Sequence, residues 1–351
     1  MEFVNPLNFG KKSNDDTLII QQALDSLNDG DSFILPNGIF QVTNLVIPDK
    51  KNITLEFYGS LRAIDGGDND YLLATYKYVN NITEAGQSIK IINPKIDGSG
   101  IIRNGLVVQT WSTTIEKPEI FNCSNGLKIT SQTKNGLNFR NSTLVNITIN
   151  NPNIRNNTNK GIWICDPGRN KITDYFITNG LLYGNAGGGI YADSCAGALI
   201  QGVHTYANKS AVYVNIASPA LRIHDCYFEE EDSVRFNEFN ENTFVSLQGN
   251  TLNGNVFLYS LNKNTGLKGI GNTFRTKNGK YIQQWGNTII LSTGDTFETS
   301  DPYRLVGMDG VSANKEAPNI AHAQNCLSTL IGMNKIIQGV QKNNIVNTIN
   351  I

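Results

Sequence analysis

The chain has few of the residues that hold small secreted domains and metal sites together. Its 351 residues include three histidines and five cysteines, Cys123, Cys165, Cys195, Cys226 and Cys326, with no CxxC spacing. An odd, widely spaced set does not make a complete disulfide framework and lacks the ligand pairs of a structural zinc site. We therefore expect free thiols, buried or partly buried, and neither a metal site nor a cofactor.

Charged residues and long apolar runs are also scarce. Only 17% of the residues are charged, and 29 basic against 30 acidic residues give a net charge of −1. Lys and Arg form no basic run, which argues against a nucleic-acid partner. No run of about 18 apolar residues occurs and no secretory segment opens the chain, so membrane insertion is not expected. A virion protein that acts outside the cell would also lack a signal.

One short sequence pattern recurs four times between residues 148 and 239. Each copy has a β-branched strand, a Gly, Pro or Asp corner, a second strand, a polar turn and a small residue that opens a third strand. Along the whole chain the corners are Pro94, Pro118, Pro152, Gly180, Gly202, Asp225, Gly249, Gly271 and Gly294. Successive corners are roughly 22 to 34 residues apart, a period that marks solenoids. The recurring order disfavours a Greek-key sandwich, so we predict one coil per repeat and parallel sheets.

Alternation along the third strand assigns its two faces. The rows predicted to point into the core are Leu106, Leu127, Ile162, Ile190, Val212, Val234 and Val256, and Val108, Ile129, Ile164, Ala192, Val214, Phe236 and Leu258. The rows predicted to face solvent are Lys128, Trp163, Tyr191, Tyr213, Arg235 and Phe257, and Gln109, Thr130, Cys165, Asp193, Asn215, Asn237 and Tyr259. Functional residues are expected in these outer rows.

The two ends of the chain differ from the repeats. Asn14 to Thr17 offer N-cap oxygens, and a helical apolar stripe follows at Ile20, Ala23, Leu24 and Leu27. SFILPNGIFQV with TNLVI predicts two strands around a turn at Pro36 to Gly38. The expected organisation is an N-terminal cap over 1–48, a β-helix over 49–310, and a segment over 311–351 that covers the last coil or joins subunits. Whether that last segment forms a helix or a strand pair is left open by its pattern.

Three segments resemble the opening of the pectate-lyase superfamily. They are NDDTLIIQQALDSL, LPNGIFQVTNLVI and INPKIDGSG from Ile92. The form they are similar to is the one common in phage tailspikes and related polysaccharide depolymerases. The resemblance implies an all-β, right-handed parallel β-helix of about nine to eleven coils with an N-terminal capping helix. It also implies a homotrimer in a virion tail or another extracellular setting.

No catalytic residue is transferred by this resemblance. The polygalacturonase signatures and the calcium-binding Asp cluster of the pectate lyases are missing from the chain. The trimer has separate support from apolar residues expected on the outer surface, Val107 and Phe257, and in the tail, Cys326, Leu327, Leu330 and Ile331. The acidic run from Glu229 to Asp232 is expected to form a solvated corner, since like charges in sequence prefer water.

An aromatic stripe is the predicted binding surface for a polysaccharide or oligosaccharide. Trp163, Tyr191 and Tyr213 occupy one outer row, and neighbouring coils are about 4.7–4.9 Å apart, so the rings are expected to stack on sugar faces. The further residues predicted to bind substrate are Arg235, Asn215 and Asn237. The same aromatic residues would also suit a covering loop or a subunit interface.

Hydrolysis of a glycosidic bond needs two carboxyl groups, about 5–5.5 Å apart for retention or 6.5–9.5 Å for inversion. Asp193 and Asp166 are on adjacent predicted coils, and Glu238 occupies the corresponding strand end two coils beyond Asp193. We predict Asp193 and Asp166 as the acid–base pair, with Glu238 as the reserve partner. Asp166 precedes Pro167, so an Asx turn is its alternative role.

The resulting hypothesis is a glycoside hydrolase that cleaves a bacterial surface polysaccharide. Elimination is disfavoured at this stage, because Lys128 and Arg235 are the only basic residues in the stripe. The alternative function is a phage fibre that binds a glycan or receptor without cleaving it.

Overall fold

The structure is a computed structural model that describes residues 2–275, 282–299, 320–322, 327–330, 335–338 and 348–350. The chain divides into two compact units, a first unit of Met1–Asp193 and a second unit of Ser194–Ile351. Each unit is described by itself.

The first unit is made almost entirely of short strands. In chain order its elements are β1 (Phe3–Val4), a 3-10 helix (Pro6–Asn8), α1 (Thr17–Asp25), β2 (Ser32–Leu35), β3 (Ile39–Val42), β4 (Leu45–Ile47), β5 (Ile53–Phe57), β6 (Ser60–Ala63), β7 (Tyr71–Thr75), α2 (Tyr76–Val79), β8 (Ile89–Ile92), β9 (Lys95–Asp97), β10 (Asn104–Val108), β11 (Thr114–Glu116), β12 (Glu119–Phe121), β13 (Asn125–Thr130), β14 (Ile147–Asn150), β15 (Asn153–Arg155), β16 (Lys160–Cys165), β17 (Tyr175–Thr178), β18 (Leu181–Tyr183) and β19 (Gly188–Cys195). The last two residues of β19 belong to the second unit.

These strands pair in parallel, each with its equivalent in the next coil. β7, β10, β13, β16 and β19 form one such series, in which Leu127 is opposite both Leu106 and Ile162, and Ile162 is opposite Ile190. β3, β6, β9, β12, β15 and β18 form a second parallel sheet. The predicted fold, a right-handed parallel β-helix with a small N-terminal helical cap, is confirmed.

The second unit repeats the arrangement. Its elements are β20 (Leu199–Gln201), β21 (His204–Tyr206), β22 (Ser210–Ala217), β23 (Arg222–His224), β24 (Tyr227–Phe228), β25 (Asp232–Phe236), β26 (Phe244–Gln248), β27 (Thr251–Leu252), β28 (Asn255–Ile270), β29 (Thr273–Arg275), β30 (Ile282–Thr293), β31 (Thr296–Thr299), β32 (Ile320–His322), β33 (Leu327–Leu330), β34 (Lys335–Gln338) and β35 (Thr348–Asn350). Parallel pairing puts Val212, Val234 and Val256 in one column. The long strand β28 pairs with both β25 and β26, and β34 pairs with β35 in the antiparallel sense.

The two predicted core rows are confirmed. Every one of their residues, from Leu106 to Leu258, is no more than 1% exposed. Burying a Val, Leu or Ile side chain contributes about 1.5–3 kcal/mol. Because each residue is stacked on its equivalent in the next coil, the core is a set of apolar columns.

The predicted corners are also confirmed, since each lies between two consecutive strands. Each corner contains one residue with φ between 49° and 65°, and these are Asn93, Lys117, Asn151, Asn179, Gly202, Asp225, Gly249, Gly271 and Gly294. In the first four corners this residue directly precedes the predicted Pro or Gly. Gly, Asn and Asp tolerate a left-handed backbone best, which explains the composition of the corners.

Buried polar side chains continue the stacking within the turns. In the first unit Asn185 Oδ1 accepts a 2.8 Å hydrogen bond from Asn157 Nδ2. In the second unit Asn250 Nδ2 donates to Asn272 Oδ1, and Asn272 Nδ2 donates to Asp295 Oδ1, both at 2.9 Å. These hydrogen-bond ladders give each of these buried polar groups a partner. Without a partner, burying them would cost free energy.

The N-terminal helix forms as predicted. α1 begins at Thr17, whose N–H donates to Asp15 Oδ1 at 2.9 Å, and its predicted apolar stripe is buried. The segment that follows forms three strands, β2, β3 and β4, where two were expected. β2 and β3 pair in parallel with β5 and β6, so stacking begins before residue 49. The predicted end of the solenoid near 310 and most of 311–351 lie outside the described residues.

The prediction that both outer rows face solvent is wrong for Lys128, Gln109, Thr130 and Cys165, which are buried. Gln109 Nε2 donates to the carbonyls of Ile82 and Glu84 at 2.7 and 3.0 Å, so a connecting segment covers it. Strand alternation assigns a face but does not show what packs against it.

Val107 is a second correction to the outer surface. It is fully buried in a cluster with Tyr71, Ala74 and Tyr78. The prediction that it is an exposed apolar group available to another subunit is therefore wrong. The short helix α2 brings Tyr78 over this part of the sheet.

The four described cysteines are free and buried, as expected, and Cys326 lies outside the described residues. Burial raises the pKa of the Cys123 thiol to about 12. Burial likewise raises the pKa of the Cys165 and Cys226 thiols, so these three thiols are protonated at neutral pH.

The acidic run at 229–232 is only partly solvated. Glu230 is 4% exposed, and its carboxyl accepts from Thr205 Oγ1 at 2.5 Å and Asn208 Nδ2 at 2.6 Å. Burial raises the pKa of Glu230 above its ordinary value of 4.5, and the two hydrogen bonds oppose this rise. The folded chain thus binds this proton more tightly than the unfolded chain, so stability falls as pH rises through the folded pKa.

We expect Glu230→Gln to become stabilising relative to wild type as pH rises. In the variant the amide oxygen can still accept from Asn208 Nδ2, and the amide N–H can donate to the Thr205 hydroxyl, but no buried charge remains. The free energy of unfolding, measured with denaturant from about pH 4 to about pH 8, should diverge from wild type toward the upper end. Glu241→Gln, at an exposed residue of the same unit, is the matched control. A stability difference that is constant with pH would contradict the assignment.

Candidate functional site

The outer face of the first unit aligns a cation, an indole and a phenol on successive coils. Lys128 on β13 is opposite Trp163 on β16, and Trp163 is opposite Tyr191 on β19. Asp193 follows Tyr191 by two residues on the same strand, which places it on the same face. Parallel register alone therefore brings these four side chains together.

Lysine ammonium groups occupy the spaces between the rings. Lys128 Nζ is 5.2 Å from the ring centroid of Tyr78 and 4.8 Å from that of Trp163. Lys160 Nζ is 3.6 Å from the ring of Trp163 and 3.9 Å from that of Tyr191. All four contacts are within the distance of a cation–π interaction. The faces of Trp163 that were expected to stack on sugars are thus in contact with two cations.

Asp193 is held at the edge of this stack by two donors. Its Oδ2 accepts from Trp163 Nε1 at 3.3 Å and from the backbone N–H of Asp166 at 3.1 Å. Partial burial raises the pKa of Asp193, although the nearby Lys160 and these hydrogen bonds pull it back down. Burial also lowers the pKa of Lys160, which the Asp193 charge partly restores. Burial therefore moves the pKa values of an acid and an amine toward each other.

Lys160 was missed by the sequence reasoning. It precedes Gly161, the small residue that opens the strand, and strict alternation would place it on the opposite face from Trp163. Its long side chain and its place at the first residue of β16 allow it to reach the rings. The only sequence signal is a lysine beside the start of an aromatic strand.

Asp166 lies next to Asp193 but is buried, at 1% exposure. Its Oδ1 accepts from Ser131 Oγ at 2.6 Å, and its Oδ2 accepts from the N–H groups of Lys171 and Ile172 at 2.9 and 3.3 Å. The carboxylate fixes the turn that follows β16 through N–H groups five and six residues further on, which is a wider contact than the Asx turn considered from the sequence. Of the predicted pair, only the Asp193 carboxyl reaches the outer surface.

The second unit contains the other predicted binding residues. Tyr213, Arg235 and Phe257 are opposite one another on β22, β25 and β28. Arg235 Cζ is 6.0 Å from the Tyr213 ring centroid and 5.1 Å from that of Phe257. Arg235 Nε donates to Asn237 Oδ1 at 3.1 Å, and Asn237 Nδ2 donates to Tyr213 Oη. The structure therefore brings Tyr213, Arg235 and Asn237 into one cluster.

Asn215 and Glu238 have different surroundings. Asn215 is exposed near the end of β22. Glu238 Oε1 accepts from Ser260 Oγ at 3.2 Å and Asn262 Nδ2 at 3.4 Å, both on β28. These contacts hold Glu238 against β28. The hydrogen bond of Arg235 goes to Asn237 and not to Glu238.

A cavity of about 420 Å³ opens beside this cluster. It is lined by Arg235, Phe236, Asn237, Phe257, Leu258 and Tyr259. Phe257 and Tyr259 were assigned to the outer rows from the sequence. Phe257 was expected to be an apolar contact between subunits, and no role was predicted for Tyr259. The cavity combines apolar walls with one cation and one amide, the composition typical of a small-molecule site.

Among the residues that the structure describes, no group of three or more His, Cys, Asp and Glu side chains is placed to hold a metal ion. No helix in the same part of the chain is long and apolar enough to cross a membrane.

Comparison of the sequence with known proteins finds no matching family model and no matching curated protein. Solved structures do match. ORF18 of Geobacillus virus E2 is 14% identical with a TM-score of 0.52, covering 99% of this chain and 63% of that one. The Dettilon tailspike protein gp208 is 13% identical with a TM-score of 0.55, covering 91% of this chain and 68% of that one.

A third match is an alginate lyase from Paenibacillus sp. str. FPU-7, at 12% identity and a TM-score of 0.54, covering 93% of this chain and 99% of that one. This chain thus spans less than two thirds of the Geobacillus virus protein and nearly the whole of the lyase. Identities this low show a common fold and nothing finer. The chain shares with these proteins the right-handed parallel β-helix fold.

Proposed function

We propose that this protein binds and cleaves a polysaccharide, and that Asp193 is the residue that donates a proton to the glycosidic oxygen. The observation that carries the proposal is the half-buried Asp193 carboxyl on the outer face of a parallel sheet, with a raised pKa and two fixed donors. A general acid must hold its proton near the working pH, and burial is the usual means. The likeness to a tailspike and an alginate lyase supports a polysaccharide as the ligand.

The two donors determine how Asp193 would work. Trp163 Nε1 and the Asp166 N–H both bind Oδ2. The Cys165 side chain also hydrogen-bonds this carboxyl. We assign the proton to Oδ1, the oxygen that neither N–H group contacts. Because both donors belong to β16 or the turn after it, the carboxyl is oriented before a substrate binds, which lowers the cost of reaching the reactive geometry.

Asp166 acts as a positioning residue in this proposal. Its carboxylate is used within the turn, through Ser131 and the backbone N–H groups of Lys171 and Ile172. Those bonds hold the residue so that its own N–H points at Asp193. The hydrolytic pair inferred from the sequence is therefore replaced by Asp193, which protonates the leaving oxygen, and Asp166, which positions it. As the glycosidic C–O bond breaks, a water molecule attacks the anomeric carbon and releases its proton to solvent.

Elimination is a second candidate chemistry, and Lys160 is the observation that favours it. Removing a proton from carbon needs a base with an accessible neutral form, and burial lowers the pKa of Lys160 beside the acid Asp193. The sequence reasoning disfavoured elimination because it did not place Lys160 in the stripe. Hydrolysis gives saturated products with new reducing ends, whereas elimination gives an unsaturated sugar that absorbs in the ultraviolet.

The non-catalytic alternative, a fibre that binds a glycan or receptor, would use the same surfaces without proton transfer. For both functions we propose a virion location in a phage tail, which the likeness to the Dettilon tailspike supports.

Asp193→Asn should reduce polysaccharide cleavage by about 10²–10⁴-fold, since the amide cannot act as a general acid. Cleavage would be assayed on purified bacterial capsular polysaccharides and alginate, by new reducing ends and by ultraviolet absorbance. Binding of the same glycans should be retained. Asp65→Asn, at an exposed carboxylate of the first unit, is the control and should cleave at the wild-type rate. Cleavage by Asp193→Asn at the wild-type rate would move the site elsewhere, and wild-type binding without cleavage would leave the fibre function.

Trp163→Phe should shift the pH profile of cleavage toward higher pH. The Trp163 N–H lowers the pKa of Asp193, so its loss raises that pKa further and keeps the acid protonated to a higher pH. Phenylalanine retains a ring for Lys128 and Lys160. The measurement is the descending limb of kcat against pH, with Trp111→Phe, which is 48% exposed, as the control. A limb that moves to lower pH, or does not move, argues against Asp193 as the acid.

We also propose a homotrimer, which the resemblance to tailspikes implies. Val107 no longer supports it, and the tail residues expected to join subunits are not among those with described side chains. Light scattering at micromolar concentration should return three times the chain mass of 38.6 kDa. A mass of 38.6 kDa across that range would reject the trimer.

A further inference from the structure

We infer that the cavity in the second unit binds a carboxylate-bearing sugar, with Arg235 as the residue that recognises the carboxylate. This inference rests on the proposed function in one respect, that the ligand is a glycan. It adds the chemical class of one sugar residue and the side chains that select it.

The guanidinium of Arg235 is fixed in place through its Nε. Its Nε donates a hydrogen bond to Asn237 Oδ1 at 3.1 Å. Among the described side chains it forms no ion pair within 4.0 Å, and its terminal nitrogens have no described hydrogen-bond acceptor. Two parallel N–H groups in one plane are the geometry that binds a carboxylate through two hydrogen bonds.

One carboxylate of the chain interacts electrostatically with Arg235. Asp232, on the same strand, has its pKa raised by burial and pulled down by the Arg235 charge. The two residues form no ion pair in the described part of the chain. Asp232 therefore does not occupy the place of a ligand carboxylate.

Aromatic and amide contacts restrict the motion of Arg235. Its guanidinium is 5.1 Å from the ring of Phe257, and Asn237 links it to the hydroxyl of Tyr213. An arginine held in this way loses little side-chain entropy when a ligand binds. Aromatic neighbours also reduce its contact with water, which strengthens a charge-assisted hydrogen bond.

The walls of the cavity suit a sugar residue rather than a bare anion. Phe236, Phe257, Leu258 and Tyr259 contribute apolar surface opposite the single cation. A pyranose offers an apolar C–H face that packs against aromatic rings, while its carboxylate points to one side. The cavity volume of about 420 Å³ is within the range of small-molecule sites.

The experiment measures binding of single sugars to the full chain by titration calorimetry or ligand-observed NMR. The probes are glucuronate, galacturonate and N-acetylneuraminate, with glucose and N-acetylglucosamine as neutral sugars and glucose 6-phosphate as a different anion. The carboxylated sugars should bind in preference to both the neutral sugars and the phosphate. Raising the salt concentration should weaken that binding.

Two substitutions at Arg235 separate charge from geometry. Arg235→Gln should raise the Kd for the carboxylated sugar about tenfold or more. Arg235→Lys should recover only part of this loss, because lysine keeps the charge but not the fork. Arg222→Gln removes an exposed arginine of the same unit and should bind as wild type does.

The inference is overturned if wild type binds none of the carboxylated sugars, prefers the neutral sugars or the phosphate, or binds equally well after Arg235→Gln. Circular dichroism and the thermal midpoint of Arg235→Gln confirm that the variant is folded. These outcomes are independent of the cleavage assay. Loss of cleavage in Asp193→Asn with unchanged binding in Arg235→Gln would reject the cavity assignment and leave the proposed function standing.

Discussion

Register between neighbouring coils is the constraint on which the rest of the structure depends. Parallel pairing places each side chain over its equivalent, about 4.7–4.9 Å away. A residue that suits one coil must therefore suit its neighbours in the same column. Apolar columns such as Ile162 over Ile190 and amide ladders such as Asn157 over Asn185 both meet this requirement. On the outer face, a column of like charges would repel, and the chain alternates ammonium groups with aromatic rings instead.

The same constraint explains what could be predicted from the sequence. Inner rows and corners repeat in every coil, so their pattern is strong, and both predictions are confirmed. Val107, Gln109 and Glu230 were misjudged because each is covered or bound by a segment outside the strand itself. Such segments occur once and leave no periodic signal. In the candidate site, the aromatic row and Asp193 could be predicted as neighbours, whereas Lys160 could not, since its position depends on side-chain reach.

Electrostatics in the two units follows from how each charge is partnered. Asp193 and Lys160 are half-buried and near each other, so burial and mutual attraction oppose each other and leave both pKa values shifted. The Asp166 carboxylate accepts hydrogen bonds from backbone N–H groups and from a hydroxyl group. Asp166 is therefore a structural group, although it lies beside Asp193. Arg235 has an amide partner but no described carboxylate. The number of charged residues alone would not distinguish these three situations. The hydrogen-bond partners of each residue do distinguish them.

The left-handed corners have a consequence for how a fold of this kind varies in evolution. Each corner uses one residue of positive φ to redirect the chain. The strands on either side of a corner therefore keep their length. The turns elsewhere in each coil can differ in length. The segment that covers Gln109 and the turn anchored by Asp166 lie in such other turns, outside the apolar columns. Insertions there leave the apolar columns undisturbed. The functional side chains of one turn can thus change without altering the other turns. The apolar columns that stabilise the fold are not affected.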